Sequence, residues 1–228
     1  MVKIFRHRLG IWRQEMVKKK SLLVFLTLLL LAACGKTPVR EEVIVDSSLP
    51  VGKIEANQFV GMRFPFKISA PSHWRVTTEI PDFMEDLGYE RQGLKSSLLF
   101  LFNPSTHSNL QIDFQPAGRR VRFSQAMIEA LTGMVTEGVI SEFKEDYGKD
   151  LQVETNPTEP ISLKGVQYAA KKSVIFTLNG VRREQGWVYA FTEPYQIFIL
   201  YVILEKKGTD DRADLKTILD SFEVMPKK

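Results

Sequence analysis

Cysteine and histidine are scarce in this sequence, which has one cysteine, Cys34, and three histidines among 228 residues. A single thiol forms no disulfide within the chain, and zinc sites built from several cysteines are excluded. The motifs of a serine-hydrolase elbow, a zinc-protease helix and a phosphate-binding loop are also absent. We therefore expect no catalytic residues, no metal site and no cofactor.

The sequence also lacks a hydrophobic run long enough to cross a membrane comfortably. Its longest apolar stretch, residues 22–33, would reach only about 18 Å as a helix, against a hydrocarbon core of about 30 Å. Seven basic residues and one acidic residue precede this stretch. A basic start before a short apolar core is typical of a secretion signal, so residues 1–33 are predicted to be one. Met16 begins an equally complete shorter signal, which leaves Met1 and Met16 as alternative starts.

Cys34 follows this signal directly, in the sequence Leu31-Ala32-Ala33-Cys34. The four residues resemble the lipobox of bacterial lipoproteins, whose cysteine thiol is joined to diacylglycerol. We predict lipidation at Cys34 and membrane attachment in the cell envelope, facing the periplasm or the exterior. Gly35 is not the aspartate of an inner-membrane retention signal, which favours the outer membrane if the organism has one. The alternative is an ordinary cleavage site with a chance cysteine.

The sequence after the predicted signal has no excess of positive charge. Residues 34–228 contain 24 basic and 26 acidic residues, a net charge of −2. The basic isoelectric point of the whole chain therefore belongs to the signal, and we expect no nucleic-acid partner.

The remaining sequence divides into a tether and one domain. Residues 34–56 show no sustained hydrophobic period and are predicted to be the lipidated cysteine and a flexible tether, leaving residues 57–228 as the domain. A hairpin is predicted within 97–114, and a meander of strands within 168–204 turns at Asn179-Gly180.

Apolar residues at helical spacing predict two main helices. One runs over 124–145, with Val135 on its apolar stripe and a weak point near Gly138. The other runs over 210–222 and buries a face that consists of Leu215, Ile218, Leu219 and Phe222.

The order of these elements resembles a known fold. An aromatic-rich strand leads to a Pro-x-x-Trp turn at Pro71–Trp74, and the last helix carries Leu-x-x-Ile-Leu-x-Ser-Phe at Leu215–Phe222. Both features are similar to those of the photosystem II protein PsbP, a Ran-binding nuclear import factor and periplasmic lipoproteins related to DcrB. The resemblance implies an α+β fold, an antiparallel β-sheet flanked by helices on both faces (an α/β/α sandwich). It also implies action by binding partners, and it assigns no functional residue.

A basic patch and one aromatic residue are the candidate partner contacts. Arginines near a membrane surface attract anionic head groups, and an acidic partner would serve equally. Tyr195 lies in the turn TEPYQ and is expected to be exposed. The patch consists of Arg119, Arg120 and Arg122, for which a solvated loop is the alternative interpretation.

The other polar candidates are expected to be ordinary surface groups. His73 and His107 are predicted in exposed loops. The acidic residues of 142–150 lack the alternating ligand pattern of a calcium loop and are interpreted as a solvated helix end. The strand aromatics are interpreted as core, although they could line a pocket between sheet and helix.

These patterns together predict a membrane-anchored, non-enzymatic envelope lipoprotein with an accessory or partner-binding function. Its partners would be the membrane, through the lipid, and an envelope protein whose identity the sequence does not give. The alternative is a carrier that holds a small apolar ligand between helix and sheet, and a hydrolase is the least favoured. A deep apolar pocket with polar groups at its mouth would favour the carrier, and an exposed apolar patch on a flat face would favour partner binding.

Overall fold

The computed structural model of the chain describes residues 43–87, 89, 94, 97–119 and 121–226. The predicted signal, Cys34 and Arg120 lie outside these residues. Among the residues described, no helix is long and apolar enough to cross a membrane.

The described chain is a mixed α/β structure, made mostly of antiparallel β-sheet with few helices. Its strands are β1 (Gly52–Glu55), β2 (Gln58–Gly61), β3 (Phe66–Ser69), β4 (Arg75–Thr77), β5 (Leu99–Phe102), β6 (Asn109–Pro116), β7 (Val153–Thr155), β8 (Glu159–Pro160), β9 (Tyr168–Leu178), β10 (Val181–Thr192), β11 (Tyr195–Leu204) and β12 (Glu223–Val224). Its helices are α1 (Phe83–Asp86), α2 (Gln125–Met134), α3 (Thr136–Tyr147) and α4 (Asp211–Ser221).

The strands form a small and a large sheet. The small sheet has the order β1-β2-β3-β12, and the large sheet has the order β4-β5-β6-β11-β10-β9-β7, with β8 paired to β9. The hairpin β5–β6 and the meander β9–β10–β11 confirm the sequence predictions. Asn179 and Gly180 both have positive φ, as the predicted turn requires. The strand β11, apolar on both faces, lies inside the sheet between β6 and β10.

Alternate residues of β10 belong to different hydrophobic clusters. Val188 and Ala190 belong to the largest cluster, which also contains Ile218 of α4 and Phe222 directly after it. Trp187 belongs instead to a cluster with Phe143 of α3. Since successive side chains of a strand point to opposite faces, the two faces of the large sheet contribute to separate cores.

The helix predicted over 124–145 is broken at Val135, three residues before the predicted weak point. The indole Nε1–H of Trp187 donates a 2.8 Å hydrogen bond to the carbonyl oxygen of Thr132. In a continuous helix that oxygen would accept from the amide of Thr136. A tertiary contact therefore replaces a helical one, and Val135 is exposed instead of lying on the buried stripe.

The end of the predicted tether is part of the small sheet. β1 pairs with β2 in register from Gly52–Gly61 to Glu55–Gln58. The Arg63 guanidinium donates to the carbonyls of Ser47 and Leu49, which holds the segment before β1 against the domain. A lone strand is unstable, and the neighbouring β2 supplies the partner that the sequence pattern did not show.

Candidate functional site

A cleft lies between α4, the meander strands and the segment 161–163. Its volume is about 440 Å³, within the usual range for small-ligand sites. Leu163 and Leu215 are buried apolar residues of its lining, and the half-buried Leu219 completes the helical side. The charged lining residues are Lys171, Glu184, Arg212, Lys216 and Asp220. The cleft therefore combines an apolar lining with charges of both signs.

Tyr201 is the buried aromatic group of the cleft. It is paired with Gly186 on β10, and a Cβ atom at residue 186 would overlap its ring. The absence of a side chain at Gly186 thus makes room for the ring to cross the neighbouring strand. Burial, and secondarily the nearby carboxylate of Glu184, raise the pKa of the Tyr201 hydroxyl, so it stays protonated as a donor.

A series of hydrogen bonds and ion pairs holds the charged side chains of the cleft in place. The Tyr201 hydroxyl lies 3.3 Å from Glu184 Oε1, and Arg212 Nε donates to Glu184 Oε2 at 2.8 Å. A second nitrogen of the same guanidinium lies 2.8 Å from Glu205 Oε1. Because Arg212 is shared between two carboxylates, its position beside the cleft is fixed on both sides.

A second polar cluster joins the Pro-x-x-Trp turn to the start of α4. His73 Nε2 lies 2.7 Å from Asp214 Oδ2, and the Trp74 indole nitrogen donates to the same oxygen at 2.9 Å. Asp211 is only 3% exposed, and its Oδ1 accepts from Asn103 Nδ2 at 2.8 Å. Its Oδ2 is buried without a hydrogen-bond partner. Single ligand atoms of His73, Asp211 and Asp214 all lie within 4.8 Å of one another.

Local structure explains why these residues meet. Asp211 begins α4 and Asp214 follows three residues later, so both lie on one side of its first turn. The Asn57 side chain donates to the carbonyls of Pro71 and Trp74, which fixes the turn that carries His73. The sequence prediction placed His73 in a surface loop, and it is exposed, but its carboxylate neighbours were not foreseen.

The structure corrects the expected exposure of Tyr195, one of the candidate partner contacts. It was expected to be exposed, yet only 6% of its surface is accessible. It begins β11, whose inward positions continue at Ile197, and its ring packs 5.1 Å from that of Phe114 and 5.9 Å from that of Phe64. The prediction of exposure was wrong because Tyr195 is the first residue of β11 and packs in the core, whereas the sequence placed it in the preceding turn.

The remaining candidates lie apart from both sites. Arg119 and Arg122 are exposed between β6 and α2, and their role as partner contacts stays a prediction. His107 is exposed and stacks on Phe83 with ring centroids 4.6 Å apart. Acidic residues of 142–150 are exposed at the end of α3, as predicted for a solvated helix end.

No protein-family model and no curated protein sequence matches this chain. Solved structures do show similarity. Cyanobacterial PsbP (CyanoP) from Synechocystis is 11% identical with a TM-score of 0.48, over 74% of this chain and 91% of that one. LpqN, described as involved in cell envelope biogenesis of Mycobacterium tuberculosis, is 11% identical with a TM-score of 0.47, over 71% and 83% of the two chains.

A crystal structure from Bacteroides thetaiotaomicron is 14% identical with a TM-score of 0.42, and the match covers 76% of this chain and 50% of that chain. Similarity at this level concerns only the path of the chain.

Proposed function

We propose that this chain is an accessory lipoprotein of the bacterial envelope, held at a membrane by lipid on Cys34, which acts by binding and not by catalysis. Residues 1–33 are its signal, and the domain faces the periplasm or the exterior. The lipobox supports the anchor, and Gly35 favours the outer membrane. The single observation that carries the binding function is the cleft beneath α4.

The domain around this cleft is proposed to be a sandwich with helices on both faces of the large sheet. The separate clusters support this arrangement, since α3 shares one with Trp187 and α4 shares the other with Val188. In this arrangement the cleft lies between α4 and the sheet, which is the place expected for a carrier's ligand.

The ligand that fits the cleft best is a small molecule with an apolar body and a charged end. Leu163, Leu215 and Leu219 offer an apolar surface. Lys171 and Lys216 add ammonium groups to the lining, each paired with one carboxylate, that of Glu159 and that of Asp220. Pockets of this kind gain affinity from the apolar contact and orientation from a few polar groups. Carriage of such a molecule is therefore the more specific form of the proposed function.

Filling the cleft tests this proposal. We expect the chain without its signal and anchor to bind one equivalent of 1-anilinonaphthalene-8-sulfonate, an apolar ring system with one anionic group, measured by fluorescence titration. Leu219→Trp places an indole in the cleft and should weaken binding by about tenfold or more, a loss of at least ~1.4 kcal/mol. The matched control, Val135→Trp, adds the same group at an exposed position outside the cleft. Equal affinity in both variants would contradict the carrier.

Binding of another envelope protein is a second candidate, favoured by the exposed apolar residues. Among the residues that the structure describes, five of the eight exposed large hydrophobic side chains lie between 44 and 62, close in sequence to the predicted anchor. They are Ile44, Leu49, Ile54, Val60 and Met62. Of these, Val60 and Met62 alternate on the β2 side of the small sheet, and exposed apolar side chains near a membrane anchor suit a membrane-bound partner.

Crosslinking in cells tests this second candidate. The double variant Val60→Lys and Met62→Lys should lose most of the crosslinked product, because two charges would have to be desolvated at the contact. The control, Met134→Lys, changes an exposed methionine at the far end of α2. A yield that is unchanged in the double variant, measured on gels after pull-down, would exclude this surface.

A further inference from the structure

We propose that His73, Asp211 and Asp214 form a binding site for a divalent transition metal ion, for which zinc is the test ion. Such a site lies outside the cleft and is independent of the proposed function. It departs from the sequence expectation that the chain holds no metal, because the two carboxylates lie about 140 residues from the histidine and only the fold brings them together.

The first argument is the state of Asp211. A buried carboxylate is stable when both oxygens are paired with donors or with a cation. Asn103 donates to Oδ1, but Oδ2 is buried without a hydrogen-bond partner. One ligand atom of Asp211 lies within 4.8 Å of ligand atoms of His73 and Asp214. A metal ion supplies the missing positive partner.

The second argument is the charge balance around the cluster. Two carboxylates in close proximity repel each other unless a cation lies between them. The nearby basic side chains of α4 are engaged elsewhere, Arg212 with two glutamates and Lys216 with Asp220. His73 contributes at most one positive charge, whereas a dication balances both carboxylates.

The third argument is geometry. An imidazole nitrogen and two carboxylate oxygens are ligands that zinc accepts, and with three protein ligands a fourth position stays open for water. Nitrogen and oxygen ligands on a tetrahedral zinc ion lie about 3.4 Å apart. The ligand atoms of the three residues lie within 4.8 Å of one another, and the His73–Asp214 contact is 2.7 Å. His73 is on an exposed turn, so a small movement of its side chain closes the remaining distance.

Neighbouring donors hold both carboxylates in place. Trp74 donates to Asp214, and Asn103 donates to Asp211. Outer contacts of this kind orient metal ligands and are a common feature of metal sites in proteins. Through His73 and the two aspartates, the ion would clamp the Pro-x-x-Trp turn to the start of α4.

Isothermal titration calorimetry of the full chain in detergent, without a polyhistidine tag, tests the proposal with Zn²⁺ as the probe. We expect saturable binding of one ion per chain. Asp211→Asn, Asp214→Asn and His73→Gln should each weaken binding at least about tenfold, since even outer-shell changes cost 10- to 100-fold. His107→Gln and Asp146→Asn are the matched controls, because both residues are exposed and lie outside the cluster.

A thermal unfolding series keeps the result interpretable if a variant folds poorly. Zn²⁺ should raise the unfolding midpoint of the unmodified chain and of both controls, because a ligand that binds only the folded state stabilises it. The rise should vanish in Asp211→Asn, a change of nearly equal size that removes the buried charge and replaces one carboxylate oxygen by an amide nitrogen. Absence of saturable Zn²⁺ binding by the unmodified chain would overturn the proposal. Equal binding by all variants would overturn it as well, since the ion would then be held elsewhere.

Discussion

Replacing Phe222 by alanine is expected to lower the free energy of unfolding by about 3–5 kcal/mol, the usual cost of removing a fully buried phenylalanine. The ring is 0% exposed and packs 5.7 Å from that of Phe66 in β3. Phe222 is the capping residue directly after α4 and directly before β12, so its ring joins the last helix to the small sheet. Urea denaturation followed by tryptophan fluorescence measures the change.

Met134→Ala is the control for this prediction. Met134 is a large apolar residue that is exposed, and surface changes of this kind usually stay within about 0.5 kcal/mol of the parent. If Phe222→Ala costs no more than Met134→Ala, the last helix does not cover the core as the structure indicates.

The last helix was predictable because its signals are local. Leu215, Ile218 and Phe222 follow helical spacing, and all three are buried. Asp210 caps the helix by accepting from the amide of Ala213, as an acidic residue before a helix does. Leu219 is half-buried and not buried, since it lies at the cleft. The helical spacing identifies which face of a helix is buried. It does not show which residues of that face lie at an open cleft.

The break between α2 and α3 was not predictable for the opposite reason. Gly133 and Gly138 weaken the helix on either side of Val135, but neither marks its end, and the predicted break lay near Gly138. The carbonyl of Thr132 is taken by Trp187, which is 55 residues away in sequence. The local sequence pattern does not show such a partner, because the contact depends on how the strands are ordered in the fold.

The candidate sites show the same limit. Acidic residues in the first turn of a helix are stabilised by the helix dipole, and this explanation accounts for Asp211 and Asp214 one residue at a time. The structure adds that Asp211 is buried and that Asp214 meets His73 and Trp74. The spacing of three residues does predict that Asp211 and Asp214 lie on the same side of a helix. The histidine comes from a distant turn, which only the fold brings close to them.

Replacing Cys34 by serine is expected to have the largest effect on function. The change removes the thiol to which the lipid would be attached, so labelling with a radioactive fatty acid should disappear. The eight residues between Cys34 and Val43 span at most about 30 Å however they are arranged. An anchored domain is therefore confined to a thin layer at the membrane, and this confinement raises its local concentration for a membrane-bound partner.

Complementation of a deletion strain compares the anchored and unanchored chains at matched abundance. The unanchored chain, produced with a cleavable signal that lacks a lipobox, keeps all residues of the described domain and should fold, yet it should lose most of the activity because that local concentration is lost. His107→Ala, Glu145→Ala and Asp146→Ala in the anchored chain should complement nearly fully, since all three residues are exposed and lie outside the cleft and the metal cluster.

Persistent fatty-acid labelling of Cys34→Ser would refute the anchor. Full complementation by the unanchored chain would show that the domain acts away from the membrane. A folded, membrane-bound but inactive His107→Ala, Glu145→Ala or Asp146→Ala chain would instead reveal a catalytic or binding site elsewhere in the domain.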